Sequence, residues 1–167
     1  MLWDEETQKY KVQRISPKGS QFIADFEGLK LQAYKCPAGV WTIGWGHTGP
    51  DVKEGMTITK EEADKLLEKD ISAKAEKYVN ALPPYVVLKQ YQYDALCSLV
   101  YNCGPAAIAK ESTIRKALCS GDFEKAAAGF LSWCKITDPK TKEKKVCKGL
   151  LARREIEKKL FEGLYEW

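Results

Sequence analysis

Between Phe26 and Gly49 the chain reads FEGLKLQAYKCPAGVWTIGWGHTG, and this stretch limits the possible folds more than any other. An apolar helical stripe of Phe22, Ile23 and Phe26 ends at Glu27, because Gly28 follows and glycine is the common residue just past a helix. Ser16-Pro17 marks the other end, with serine as the N-cap and proline at the first helical position. Two short runs of β character come next, Leu31–Tyr34 and Val40–Trp45, parted by the turn residues Pro37-Ala38-Gly39. A helix that runs straight into a hairpin leaves its last side chain, Glu27, at the junction of helix and sheet, where it can project into a cleft. Met56–Ile58 is a candidate third strand.

The remainder is helical in pattern. Thr59 and Glu62 form a capping box, and Ala63, Leu66, Leu67, Ile71, Tyr78 and Val79 recur behind them near a 3.6-residue period. Pro83-Pro84 ends that helix. Shorter helices are predicted over about 89–101, 112–119, 122–132 and 149–162. Between the last two lies KITDPKTKEKKVCK, a lysine-rich loop or hairpin turning at Asp138-Pro139. The expected fold class is α+β: a small N-terminal β lobe, a long connecting helix, and a larger helical lobe with a cleft between the two. Residues 1–15 form an extension of unknown role. Residues 16–167 form a single domain, large enough for one sizeable core.

Composition narrows the function classes. At 44% hydrophobic residues the chain is neither disordered nor a coiled coil. No apolar run approaches the ~20 residues that span a bilayer, so membrane insertion is not expected. The opening MLWDEETQKYKVQRI has no apolar signal-peptide core, which points to synthesis in a host bacterial cytoplasm. The net charge of +4, from 27 basic and 23 acidic residues, aids approach to anionic polymers but is no nucleic-acid footprint. The six lysines from Lys135 to Lys148 likewise lack interleaved aromatics. Six cysteines without a leader read as thiols rather than a disulfide framework. Cys134 and Cys147 bracket the lysine-rich segment and would face one another in a hairpin, although separate thiols are the expected state. With one histidine a zinc site is hard to complete. Gly44–Gly49 matches GxGxxG, but the loop-like Pro50–Gly55 follows it in place of the helix that a dinucleotide site needs.

Cys36 stands nine residues after Glu27, and Thr42 fifteen residues after it. With the WTIGWGHTG run, this spacing resembles the active-site segment of the phage-type lysozymes (endolysins, glycoside hydrolase family 24), whose Glu-x8-Asp-x5-Thr cuts cell-wall glycan strands. The likeness extends over nearly all of the chain after about residue 16. QYDALCSLVYNCG resembles the family's Q-x-D-A-L helix, ESTIRKAL the segment facing the sugar, and GLLARREIEKKLF the last helix, G-L-x-x-R-R-x-x-E. The resemblance implies an inverting muramidase that hydrolyses the β-1,4 bond between N-acetylmuramic acid and N-acetylglucosamine to lyse a host cell. It implies Glu27 as general acid, Thr42 orienting water and Cys36 at the base or electrostatic position. His47, Asn102 and Ser112 fall on the substrate side, and Arg153 or Arg154 pairs with Glu27. It implies peptidoglycan glycan strands as the partner, no nucleic acid, no cofactor, a monomer, and release through a separate holin-type pore.

The residue types suit that chemistry. A glycosidic leaving group needs a proton, and a carboxyl at the edge of an apolar helix can retain one through desolvation. A threonine hydroxyl both donates and accepts. Cys36 departs from the family aspartate: an aspartate is ionised at pH 7, whereas a free cysteine is only about 3% thiolate. Cys36 is therefore a thiolate base, a neutral thiol that shapes the site, or a mark of lost activity. An active enzyme is the favoured reading, because proton donation does not require Cys36. The alternatives are a catalytically weakened peptidoglycan-binding homologue and a related chitin-type glycosidase. For His47 a structural role, bonded to a neighbouring side chain, is preferred to direct catalysis. Asn102 and Ser112 have plain readings too, as a helix C-terminal asparagine and an N-cap.

Overall fold

A computed structural model of the protein describes residues 2–6 and 9–167. β1 (Leu2–Asp4) and β2 (Lys9–Lys11) pair antiparallel, with Leu2 opposite Lys11. Of the expected extension, Met1, Thr7 and Gln8 lie outside the described residues. Gln13, three residues before the expected boundary, is joined to the helical lobe. Its carbonyl accepts the Tyr93 hydroxyl at 2.8 Å and the Asn80 amide at 3.1 Å. The Ile15 N–H then donates to Glu76 at 2.9 Å.

Helix α1 spans Pro17–Glu27. Its N-cap Ser16 accepts the Gly19 N–H at 3.0 Å, and Gly28, at φ +72°, closes it by donating to the Ala24 carbonyl at 3.0 Å. The start of α1 is tied to the interior by Asp94, which accepts the Ser16 N–H (3.0 Å), the Ser16 hydroxyl and the Gln90 amide (2.9 Å). Only glycine fits beside this group, since a Cβ on Gly19 would lie 2.6 Å from the Asp94 carboxyl carbon.

The β lobe is an antiparallel sheet in the order β3 (Lys30–Lys35), β4 (Trp41–Gly44), β5 (His47–Thr48). Tyr34 stands opposite Thr42, and Thr42 opposite Thr48. The third strand is thus β5, rather than Met56–Ile58. That segment makes a single bridge, Thr57 to Gln32, with backbone bonds from Ala33 to Met56 and from Ile58 to Leu31, both 2.9 Å. It cannot extend further because the Thr59 capping box begins the next helix at once.

That helix, α2 (Lys60–Ile71), continues through a π-helical turn at Ser72–Glu76 into α3 (Lys77–Val79) and connects the two lobes. α4 (Gln90–Cys103) is buried without a break from Tyr93 to Val100. α1, α3, the π turn and α7 (Lys148–Phe161) pack around it. α5 spans Thr113–Cys119. α6 spans Phe123–Gly129 and tightens into a 3₁₀ turn at Phe130–Ser132, where a single helix was expected over 122–132. One core gathers Phe22, Ile23, Leu67, Ile71, Leu96, Leu99, Phe130 and Phe161. Each such side chain contributes roughly 1.5–3 kcal/mol by leaving water.

The lysine-rich segment forms a hairpin of β6 (Lys135–Thr137) and β7 (Lys144–Val146), with Lys135 opposite Val146. Cys134 and Cys147 occupy the next pair, their backbones joined by a 2.7 Å hydrogen bond, and both thiols are free. Directly opposed antiparallel residues have Cα atoms about 4.5–5.5 Å apart, within the range that a disulfide spans. Incubation with a small disulfide oxidant should therefore link Cys134 to Cys147, read as a joined peptide pair by mass spectrometry of a non-reduced digest. Two singly modified thiols there would show that the side chains diverge.

Candidate active site

Glu27 closes α1 and reaches across to α7. Its Oε1 accepts from Arg153 Nη1 at 3.1 Å, and the Arg153 guanidinium lies over the Phe26 ring at 4.6 Å. Of the two arginines proposed to pair with Glu27, Arg153 makes the contact. Arg154 is fully buried and instead donates to Asn102 (2.8 Å), Glu157 (2.7 Å), the Trp133 carbonyl (3.4 Å) and the Cys103 sulfur. Both arginines converge on Glu157, whose Oε1 also accepts the Ser98 hydroxyl at 3.0 Å. Burial pushes the Glu157 carboxyl above its ordinary range, while Arg154 and Arg153 oppose that shift. Removing one partner from such a buried charged group costs on the order of 3–5 kcal/mol.

The other oxygen of Glu27 faces the turn between β4 and β5. A Cβ on Gly46 would lie 3.0 Å from Glu27 Oε2, and one on Gly44 3.3 Å from the Ala63 Cβ. Gly46 also has φ +82°, which side-chain-bearing residues rarely adopt. The glycines that mimic a nucleotide motif in sequence thus let the turn approach the carboxylate and α2.

Cys36 and Thr42 meet through the β3–β4 hairpin. The Cys36 N–H donates to the Val40 carbonyl at 3.0 Å, and Tyr34 is opposite Thr42. Positions 34, 36, 40 and 42 therefore share one face of the hairpin by strand alternation. The Cys36 thiol titrates below its ordinary value. Backbone hydrogen bonding from Val40 is the main cause, partial burial opposes it, and Ala38 and the Thr42 hydroxyl add to it. Thr42 is buried, and its hydroxyl donates to the Val40 carbonyl at 3.0 Å. It has one proton, so it serves either that carbonyl or a thiolate at Cys36, with its lone pairs left to accept.

The remaining expected residues are engaged in contacts of their own. His47 has both ring nitrogens engaged, Nδ1 with Asp70 at 2.7 Å and Nε2 with Asp51 at 3.0 Å. It ties β5 to α2, and no ring nitrogen is left for a sugar. Burial lowers its pKa, but the bonds to Asp70 and Asp51 outweigh this and raise it overall. Asn102 and Ser112 line a groove of about 660 Å³ together with Trp133 and, from the β6–β7 hairpin, Lys135 and Lys144. Ser112 caps α5 by accepting the Arg115 N–H at 3.3 Å and donates to the Ala107 carbonyl. A larger concavity of about 1090 Å³ beside α1 and α2 contains none of Glu27, Cys36 or Thr42.

Sequence reasoning missed four participants. Ser98 and Glu157 carried a faint signal, since Glu157 lies three and four residues beyond the paired arginines. Asp70 carried none. Tyr101 is a phenol pushed above its ordinary pKa, chiefly by burial and then by the charges of Asp70 and Glu27. Among the described residues no three His, Cys, Asp or Glu side chains converge to hold a metal.

The chain resembles known proteins over most of its length. The sequence profile of the Phage lysozyme family covers residues 24–157. The chain is 44% identical over 150 residues to an endolysin of Acyrthosiphon pisum secondary endosymbiont phage 1, spanning 89% of this chain and 98% of that one. The endolysin of Escherichia coli O157:H7 phage FAHEc1 superposes with a TM-score of 0.81 at 34% identity, over 95% of this chain and 100% of that one. The muramidase domain of SpmX from Asticaccaulis excentricus superposes with a TM-score of 0.79 at 36% identity, over 89% and 97%.

The His47 cluster makes stability depend on pH. A raised histidine pKa stabilises the fold fully below the unfolded value of about 6.5, and this is lost as pH climbs through the folded value. Asp51 is held below its ordinary range, first by its bond to His47, so its share is present above about pH 4 and lost below it. The Tm deficit of a His47→Asn variant should thus be widest between about pH 4.5 and 6 and shrink by about pH 9. A deficit independent of pH in thermal melts would contradict this.

Proposed function

The chain belongs to the phage lysozyme family, and on that premise we propose that Glu27, Thr42 and Cys36 carry its reaction. The protein is a peptidoglycan-hydrolysing endolysin, a glycoside hydrolase of the muramidase type. The bond cut joins N-acetylmuramic acid to N-acetylglucosamine. The observation that carries the residue assignment is the setting of Glu27. One carboxylate oxygen is held by Arg153 at 3.1 Å, and the other faces a turn that only glycine allows so close. A carboxyl fixed at one oxygen presents the other in a constant direction, as proton delivery to a leaving oxygen requires.

Thr42 positions the attacking water by accepting a hydrogen bond from it, its own proton being given to Val40. Cys36 stands beside it at the position of the family aspartate. The backbone hydrogen bonds from Val40 and Ala38, which lower its pKa, support the thiolate among the three readings. Attack by this water on the face opposite Glu27 makes the reaction inverting. A monomeric enzyme, released through a separate holin-type pore, completes the reading.

Glu27→Gln keeps the shape but has no proton to give. Clearing of a wall suspension should fall about 10²–10⁴-fold while the melting curve is retained, and activity within a few-fold of the parent would remove Glu27 as the acid.

Cys36 has its own signature. If the thiolate is the working form, activity rises as pH approaches the thiol pKa from below, and small alkylating reagents abolish it. Cys36→Ala should lose roughly tenfold or more. Cys36→Asp should retain or gain activity at about pH 6–7, where an aspartate is already ionised. Indifference to alkylation together with a fully active alanine variant would deny this position any chemistry.

A further inference from the structure

We propose that Glu157 is a positioning residue, its buried carboxylate aiming Arg153 at Glu27 and anchoring both to α4. The proposal rests on the reading of Glu27 as the acid. Glu157 touches no position that substrate could reach, since its side chain is fully buried. Its Oε1 nevertheless accepts three donors: the Ser98 hydroxyl at 3.0 Å, Arg153 Nε at 3.0 Å and Arg154 Nη2 at 2.7 Å. Its Oε2 is buried with no hydrogen-bond partner among the described residues.

This is not the fork-on-fork pairing that uses both carboxylate oxygens and both terminal guanidinium nitrogens. Glu157 takes Arg153 at Nε, along the side of the guanidinium. That choice leaves Nη2 to reach Ser98 at 3.4 Å and Nη1 to reach Glu27 at 3.1 Å. The guanidinium carbon also lies over Phe26, 4.6 Å from its ring centre. A planar group fixed at Nε, at Nη2 and on one face has no rotation left, so the direction of Nη1 is determined. Burial disfavours the charge on Glu157, and an apolar residue there would avoid that cost. What the carboxylate supplies in return is the orientation of the guanidinium.

The test compares Glu157→Gln, Ser98→Ala and Glu27→Gln on soluble peptidoglycan fragments, with kcat and KM measured separately and melting curves run alongside. In Glu157→Gln, kcat should fall by about tenfold or more with KM within about twofold, because proton delivery is misaligned while glycan binding is kept. Ser98→Ala removes one anchor without removing a charge. It should lower kcat by roughly threefold with the same split, and it carries the test if Glu157→Gln does not fold. A folded variant with the parent's kcat, or a loss confined to KM, overturns the proposal. If Glu27→Gln remains active, the acid assignment fails and takes this proposal with it. If Glu27→Gln is inactive while Glu157→Gln and Ser98→Ala keep full kcat, positioning by Glu157 alone is refuted.

Discussion

Helix α4 is enclosed on all sides from Tyr93 to Val100, and two polar side chains, Asp94 and Ser98, go into the interior with it. Buried polar groups must find partners or cost stability. Asp94 finds the N-terminus of α1, through the Ser16 N–H and hydroxyl. Ser98 finds α7, through Glu157 and Arg153. The two side chains are one helical turn apart on the same face of α4. α1 carries Glu27 at its far end and α7 carries Arg153, so the carboxylate and its guanidinium partner are both referenced to a single turn of the central helix. The enclosure of α4 is thus the constraint from which the geometry at Glu27 follows.

The β lobe is small and is fastened to the rest by few groups. His47 bridges β5 to Asp70 of α2, and Trp45 donates its indole N–H to Asp64 of α2 at 2.7 Å. Gly44 lies close to Ala63 of the same helix. All three place the hairpin that bears Cys36 and Thr42 relative to α2, whereas Glu27 is placed by α1. The two halves of the site therefore belong to different structural units, and Gly46 is where they meet. Under the roles proposed for these residues, the arrangement sets the acid and the water-positioning groups on opposite sides of a glycan strand.

Much of the fold was legible because its signals are local. Ser16-Pro17, Gly28 and the Thr59–Glu62 box each act on residues within a turn of themselves, and the helices begin and end where those residues place them. The two β runs parted by Pro37-Ala38-Gly39 form the hairpin of β3 and β4. Where neighbours along the chain did not decide, the reading strayed. Met56–Ile58 has strand composition, but the capping box leaves no room for a ladder. Gln13, in the extension whose role the sequence left open, accepts from Tyr93, eighty residues away.

By itself, the sequence determined the ends of α1, the start of α2, the hairpin and the spacing of Glu27, Cys36 and Thr42, together with the family that the spacing resembles. It also held both arginines and Glu157 in one helical pattern. Only the tertiary structure decided which arginine meets Glu27, a contact spanning 126 positions, and that the other turns inward to Asn102. It also decided that His47 spends both ring nitrogens on Asp70 and Asp51. The physical reason is the range of the interactions. Caps and turns are completed within a few residues, whereas an ion pair between α1 and α7 exists only once both have packed on α4.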